Sequence, residues 1–160
     1  MRKAFSSLPL GLVVALALAP AAAAEELHGE PRVIDGVTLE VDGQRLRLYG
    51  ITAPKPGDDC MLRGNMHDCG VIAASHVMDM TLGTPVTCTL MPGGSGTARC
   101  SADGYDLSFG MVYSGWARAL PDAPAQLHDG EARARRQGHG LWQGAFPAHV
   151  DATAGGPADG

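Results

Sequence analysis

Pro31-Arg-Val-Ile-Asp-Gly-Val-Thr-Leu-Glu-Val-Asp-Gly-Gln-Arg-Leu-Arg-Leu-Tyr-Gly-Ile51 decides the fold. Val37, Leu39 and Val41 alternate with Thr38, Glu40 and Asp42, the period of a strand with one buried face. Asp42-Gly43 is a two-residue hairpin turn, because both residues tolerate positive φ. Beyond it Leu46 and Leu48 alternate with Arg45, Arg47 and Tyr49. Upstream, Val33-Ile34 leads into a second Asp-Gly, Asp35-Gly36. The stretch predicts a three-stranded antiparallel meander with one apolar face.

Toward the N-terminus the pattern changes. Arg2 and Lys3 precede an apolar run from Leu8 to Leu18, followed by Pro20 and Ala21-Ala22-Ala23-Ala24. A basic start, a short apolar segment and small residues read as an export signal cleaved after Ala24. The run before Pro20 is short for a membrane span of about 20 residues, so no membrane association is expected after cleavage. The protein is therefore expected in the periplasm or secreted. Cys60, Cys69, Cys88 and Cys100 should then be oxidised, and pairing Cys60 with Cys69 and Cys88 with Cys100 closes the shortest loops.

Downstream, Pro54, Pro56 and Gly57 make residues 52–67 a loop. Asp68 caps a helix over Cys69 to Leu82, with Val71, Ala74 and Met78 expected on its inner stripe. Val86–Leu90 and Thr97–Ala102 read as strands flanking Pro92-Gly93-Gly94. A short helix follows Asp106 and stops at Gly115, and another runs from Pro124 to Gln137 before Gly138 and Gly140. Residues 148–160 are small and polar and read as a disordered tail, leaving 25–147 as one domain. Three strands, a helix, two strands and two helices is the order of a mainly β, five-stranded OB-fold barrel with three helices.

The 160-residue chain is 45% apolar, enough for a core and too apolar for a wholly disordered protein. It has 12 basic and 17 acidic residues; loss of Arg2 and Lys3 with the signal leaves a net charge of −7. That balance disfavours a nucleic-acid partner, since little is gained from counterion release on a polyanion.

Several blocks in register resemble the staphylococcal nuclease-like (thermonuclease) family. They are Val33 to Val41, Arg47-Leu-Tyr-Gly-Ile-Thr-Ala-Pro54, Cys69-Gly70 with Ala73, and Val86 with Cys88. Ala98-Arg99-Cys100, Asp106-Leu107, Gly115-Trp116-Ala117, Glu131, Ala134-Arg135 and Gly140-Leu141-Trp142 follow. The resemblance implies the same OB barrel. It also implies calcium-dependent hydrolysis of DNA and RNA phosphodiesters in active members. There a hard cation held by carboxylates polarises the phosphate, a carboxylate activates water, and two arginines brace the developing charge.

Carried over residue by residue, the resemblance finds most of that chemistry replaced. One metal-ligand position of the family is Val37, within Asp35-Gly36-Val37-Thr38, and the other is Thr52. The candidate base is Lys55, within Thr52-Ala53-Pro54-Lys55. The second arginine position, counted back from Cys100, is Ser95; only Arg47, the phosphate-gripping arginine, is retained. Val37 offers no oxygen, and Lys55 would repel a cation. No cofactor is expected; calcium belongs only to the alternative reading.

Other constellations carry less. Cys60, His67, Cys69 and His76 fit no common zinc spacing. Arg133, Arg135 and Arg136 form either a weak phosphate patch or the solvated end of a helix. Arg47 either binds an anion or pairs with Glu40 or Asp35. Trp116 and Trp142 read as core, and Ser75, Ser108 and His128 lack a nucleophile-elbow motif.

Two functions follow as expectations. The first is a non-catalytic exported module that binds or supports a partner not specified by the sequence. The alternative is an active calcium-dependent endonuclease with a rearranged metal site that takes two of Asp35, Glu40, Asp58 and Asp59 as ligands.

Overall fold

A computed structural model describes residues 24–155. The chain runs through β1 (Glu26–Gly29), β2 (Arg32–Val33), β3 (Thr38–Val41), β4 (Gln44–Leu48), β5 (Ile51–Thr52), β6 (Asp59–Leu62) and β7 (Asn65–Asp68). It continues through α1 (Cys69–Thr81), β8 (Val86–Leu90), β9 (Thr97–Ala102), β10 (Tyr105–Asp106), α2 (Leu107–Tyr113) and β11 (Arg118–Ala119). Helix α3 (Ala125–Gln137), a 3-10 turn (Gly140–Gln143) and α4 (Ala148–Thr153) complete it. The fold is mixed α/β, mainly sheet, with four α-helices among the described residues. The expected export signal lies outside the described residues except for Ala24.

The expected meander is present. Asp42 and Gly43 take φ of +50° and +75°, as a type I′ turn requires, and set Leu39 opposite Leu46 and Thr38 opposite Arg47. Leu39, Val41, Leu46 and Leu48 are all buried, so the alternation marks the inner face. The main sheet has the order β1-β8-β9-β4-β3-β2, with β10 added to β9. Strands β4 and β9 are parallel and the other pairs antiparallel. The two end strands of that order, β1 and β2, are separated in the chain only by Glu30 and Pro31. Three peptide steps reach at most about 11 Å, so the sheet curls until these ends approach. Its concave side is filled by the inner strand residues together with Ala73, Val77, Leu107, Met111 and Val112.

Three expectations are corrected. Residues 52–67 are not all loop: β6 and β7 form a hairpin through Arg63-Gly64, whose φ values are +51° and +84°. Its residues are mostly exposed, so no apolar alternation marked it. Helix α1 turns inward a face that shares only Ala74 with the expected stripe of Val71, Ala74 and Met78. Gly70, Ala73, Ala74 and Val77 are buried, whereas Val71 and Met78 are about half exposed. Close approach selects the small residues: a Cβ on Gly70 would lie 1.8 Å from the Lys55 carbonyl, and one on Gly36 2.9 Å from the Ala73 methyl. Finally, the tail expected from Ala148 begins with α4, because Val150 is fully buried in a second cluster with Cys60, Cys69, Leu141 and Phe146. Residues 156–160 lie outside the described residues.

Both disulfides join the cysteines paired by the short-loop argument, Cys60 with Cys69 and Cys88 with Cys100. Cys88 and Cys100 face each other across β8 and β9. Among the described residues no helix is long and apolar enough to cross a membrane.

Candidate functional site

Arg47 sits in β4 between Thr38 of β3 and Thr97 of β9. Its backbone N–H donates to the Gly96 carbonyl at 2.8 Å, fixing the strand against the β8–β9 loop. The side chain is exposed, and its guanidinium has no hydrogen-bond or ion-pair partner among the described residues. It borders a cleft of about 280 Å³ that also presents Tyr49, Met91, Ser95, Thr97 and Asp122. Two of the positions singled out from the sequence, Arg47 and Ser95, therefore share one cleft.

The other three do not line it. Val37 is buried in the main core. Thr52 is buried on β5 opposite Arg118 of β11. Lys55 is exposed, and its backbone N–H donates to Asp58 Oδ2 at 2.6 Å.

The four carboxylates considered for a rebuilt metal site face other partners. Glu40 takes Arg32, through Nε to Oε1 at 3.2 Å and through Nη2 to Oε2 at 2.5 Å, and this holds its carboxyl below the ordinary value. That contact settles one alternative for Arg47: its acid is not Glu40. Asp35 accepts the Val37 N–H at 2.8 Å, an Asx-type turn at the start of β3. Asp58 also meets His149 Nε2 at 3.2 Å. Asp59 lies opposite Asp68 across the β6–β7 hairpin. Asp68 caps α1, accepting N–H groups of Val71 and Gly57, and these bonds lower its pKa. Among the described residues no three His, Cys, Asp or Glu side chains gather as a metal site.

The remaining candidates separate. Cys60 and Cys69 are consumed by their disulfide, which removes them as thiolate ligands beside His67 and His76. Arg133 lies over the Tyr113 ring at 5.3 Å, on a different part of α3 from the groove shared by Arg135, Arg136 and His128. The triple is thus not one patch. Ser75 donates back to the Val71 carbonyl, and Ser108 is buried at the start of α2. Trp142 packs with Phe146 beside the Cys60–Cys69 cluster, and Trp116 touches both clusters.

Sequence reasoning missed a buried polar centre. Arg118 donates to Glu131 on α3 and to Asp151 on α4, with the Trp142 and Phe146 rings 5.4 and 5.9 Å from its guanidinium carbon. The available signal was a single Arg in the apolar block Trp116-Ala-Arg-Ala-Leu120. These contacts hold the framework and do not reach the Arg47 cleft.

No family model matches this chain. It is similar to the succinoglycan biosynthesis protein ExoI of Rhizobium meliloti (strain 1021), with 32% identity over 158 residues, covering 92% of this chain and 82% of that protein. An identity of this size over most of both chains leaves one conclusion: the chain belongs to the same family as ExoI.

Proposed function

We propose that this chain is an exported, non-catalytic domain of the staphylococcal nuclease-like OB type, acting as a binding or structural module through the cleft beside Arg47. The two disulfides support export to the periplasm or beyond the cell. The curled sheet, whose end strands are consecutive in the chain, supports the OB-type barrel. ExoI is named for succinoglycan biosynthesis, and the corresponding role here is in glycan biosynthesis.

One observation carries the non-catalytic reading. Val37, at the position implied to ligate a metal, is packed in the core at 2% exposure and has no side-chain oxygen. An ion beside Arg47 would need several converging oxygens, and Asp122 is the one carboxylate lining that cleft.

The test is cleavage of denatured DNA by the oxidised, exported protein in calcium, with and without chelator. The expected result is no chelator-sensitive cleavage, and no heat or thermal shift on titration with millimolar calcium. Cleavage abolished both by chelator and by Arg47→Ala overturns the reading in favour of a calcium-dependent endonuclease.

A further inference from the structure

A second cleft, of about 400 Å³, lies between the β6–β7 hairpin and the 3-10 turn and shares no lining residue with the Arg47 cleft. Its size falls within the ordinary range of small-ligand sites. Trp116 lines it together with Arg63, Asn65, His67, Gly140 and Gln143. The Trp116 ring has no aromatic or cationic partner among the described residues, and its indole N–H makes no hydrogen bond there. Its position is nonetheless fixed, since it packs against both hydrophobic clusters.

The walls are built to stay in place. The Cys60–Cys69 disulfide ties the hairpin to the start of α1. Leu62 bridges to Gly144, where an added Cβ would fall 2.0 Å from the Met61 carbonyl oxygen. Gly115, just before Trp116, meets Gly140 at similarly close range, and the Leu141 N–H donates to the Gly115 carbonyl at 2.9 Å. In the hairpin Leu62 faces Asn65 and Cys60 faces His67, so Asn65 and His67 share the face turned to the cleft.

The lining chemistry suits a sugar. A pyranose ring offers a C–H face that stacks on an indole and a rim of hydroxyls that pair with amide, imidazole and guanidinium groups. Asn65, Gln143, His67 and Arg63 provide those groups around one tryptophan. No Asp or Glu lines the cleft, and its one permanent charge is Arg63. Arg63 Nε donates to Gln143 Oε1 at 2.7 Å, which orients the guanidinium and leaves its terminal N–H groups for a carboxylate. Arg63 also takes φ +51° in the turn, a position where Asn, Asp or Gly is usual.

We propose that this cleft binds an acidic oligosaccharide, with a pyranose ring over Trp116 and a carboxylate of the sugar on Arg63. The assignment is independent of the Arg47 cleft. The test is a nuclear magnetic resonance titration of the labelled, oxidised exported protein with a β-1,4-linked oligoglucuronate, with cellotetraose as the neutral probe. The expected shifts cluster at residues 62–67, at Trp116 and at 140–143. The oligoglucuronate binds about ten-fold more tightly than cellotetraose, and Arg63→Gln removes that preference. Asn65→Ala, on the exposed hairpin, weakens both probes while the circular dichroism spectrum is unchanged. Equal affinity for the two probes overturns the proposal, as do shifts confined to the Arg47 cleft or absence of shifts at about 10 mM of either probe. Tighter binding of a thymidine oligonucleotide at the same residues overturns it as well.

Discussion

Arg118 on β11 and Glu131 on α3 are joined by two hydrogen bonds, Nε and Nη2 each donating to Oε1, at 3.2 and 3.1 Å. The side chains are only 6% and 13% exposed. Glu131 uses its other oxygen to accept the Ala119 N–H at 2.5 Å, and Asp151 accepts Arg118 Nη1 at 2.6 Å. One cation thus ties a strand to two helices. Removing Glu131 leaves Arg118 with Asp151, but it takes away two charge-assisted hydrogen bonds in a nearly buried setting and deprives the Ala119 N–H of its acceptor. Glu131→Ala is expected to lose about 3–5 kcal/mol in urea unfolding. Asp151→Asn should lose less, because water reaches that carboxylate more easily. A Glu131→Ala loss under about 1 kcal/mol would show that the centre is not a framework contact.

Val37 leads to a second prediction. Placing a carboxylate at this position by Val37→Asp puts it in a core of Leu, Val and Ala side chains. Without a partner the carboxylate is desolvated, and about 2–4 kcal/mol of stability should be lost at neutral pH. The loss should shrink as pH falls, because the neutral acid is cheaper to bury. Urea midpoints at pH 7 and pH 5 measure this; a variant as stable as the parent at pH 7 would mean that the site opens to water or to an ion.

The meander was legible because its burial, turn chemistry and alternation agree: Leu39 and Leu46 face inward across a turn that Asp42-Gly43 dictates. The helix caps were equally plain, since Asp68 and Asp106 accept the N–H groups three residues on. The face of α1 was not, because apolar size pointed to Val71 and Met78 while close packing against the Lys55 carbonyl and Gly36 required Gly70 and Ala73. The β6–β7 hairpin carries its constraint in a disulfide and in backbone contact with Gly144, neither of which leaves a periodic trace. Of the candidate site, the sequence indicated Arg47 and Ser95; the rim contributed by Asp122 comes from a segment far along the chain.

His76 supplies the pH dependence. It lies on α1, and burial lowers its pKa against an opposing pull from Asp79. Well above the ordinary value of about 6.5 it is neutral both folded and unfolded, so it costs nothing. As pH falls through that value the unfolded chain takes up the proton first, and stability declines until the folded histidine is protonated too. His76→Gln should therefore flatten the decline between about pH 6.5 and 5 without changing the stability difference above it. Thermal melts across that window decide: parallel curves for the two proteins would remove His76 as the source.

Gly70 gives a test of the close approach that sets α1. Alanine is normally better than glycine within a helix by about 1 kcal/mol. Here the added methyl would collide with the Lys55 carbonyl and sit 2.3 Å from the Pro56 nitrogen, both backbone atoms that cannot turn aside. Gly70→Ala should lose about 2–3 kcal/mol in spite of propensity. The comparison is Gly130→Ala on α3, where the nearest atom, 3.0 Å away, is the edge of the Phe109 ring. A Gly70 variant at least as stable as the Gly130 variant would show that the 55–56 backbone yields.

The Cys88–Cys100 bond closes the arm formed by β8 and β9, 12 residues apart in sequence and directly opposite in register. Both sulfurs are buried in the main core, so replacement by serine would also bury two hydroxyls. The Cys88→Ala, Cys100→Ala double variant avoids that penalty and isolates loss of the cross-link and of two sulfur contacts. Restoring freedom to an unfolded loop of this size costs about 3 kcal/mol. The same change at Cys60 and Cys69, whose loop is a little shorter, should cost slightly less through chain entropy but should also loosen the Val150 and Leu141 cluster. Proteolysis of that variant should therefore begin near α4, whereas the Cys88–Cys100 variant should open at the β8–β9 loop. Identical first cleavage sites in the two variants would mean that the two cores unfold as one unit.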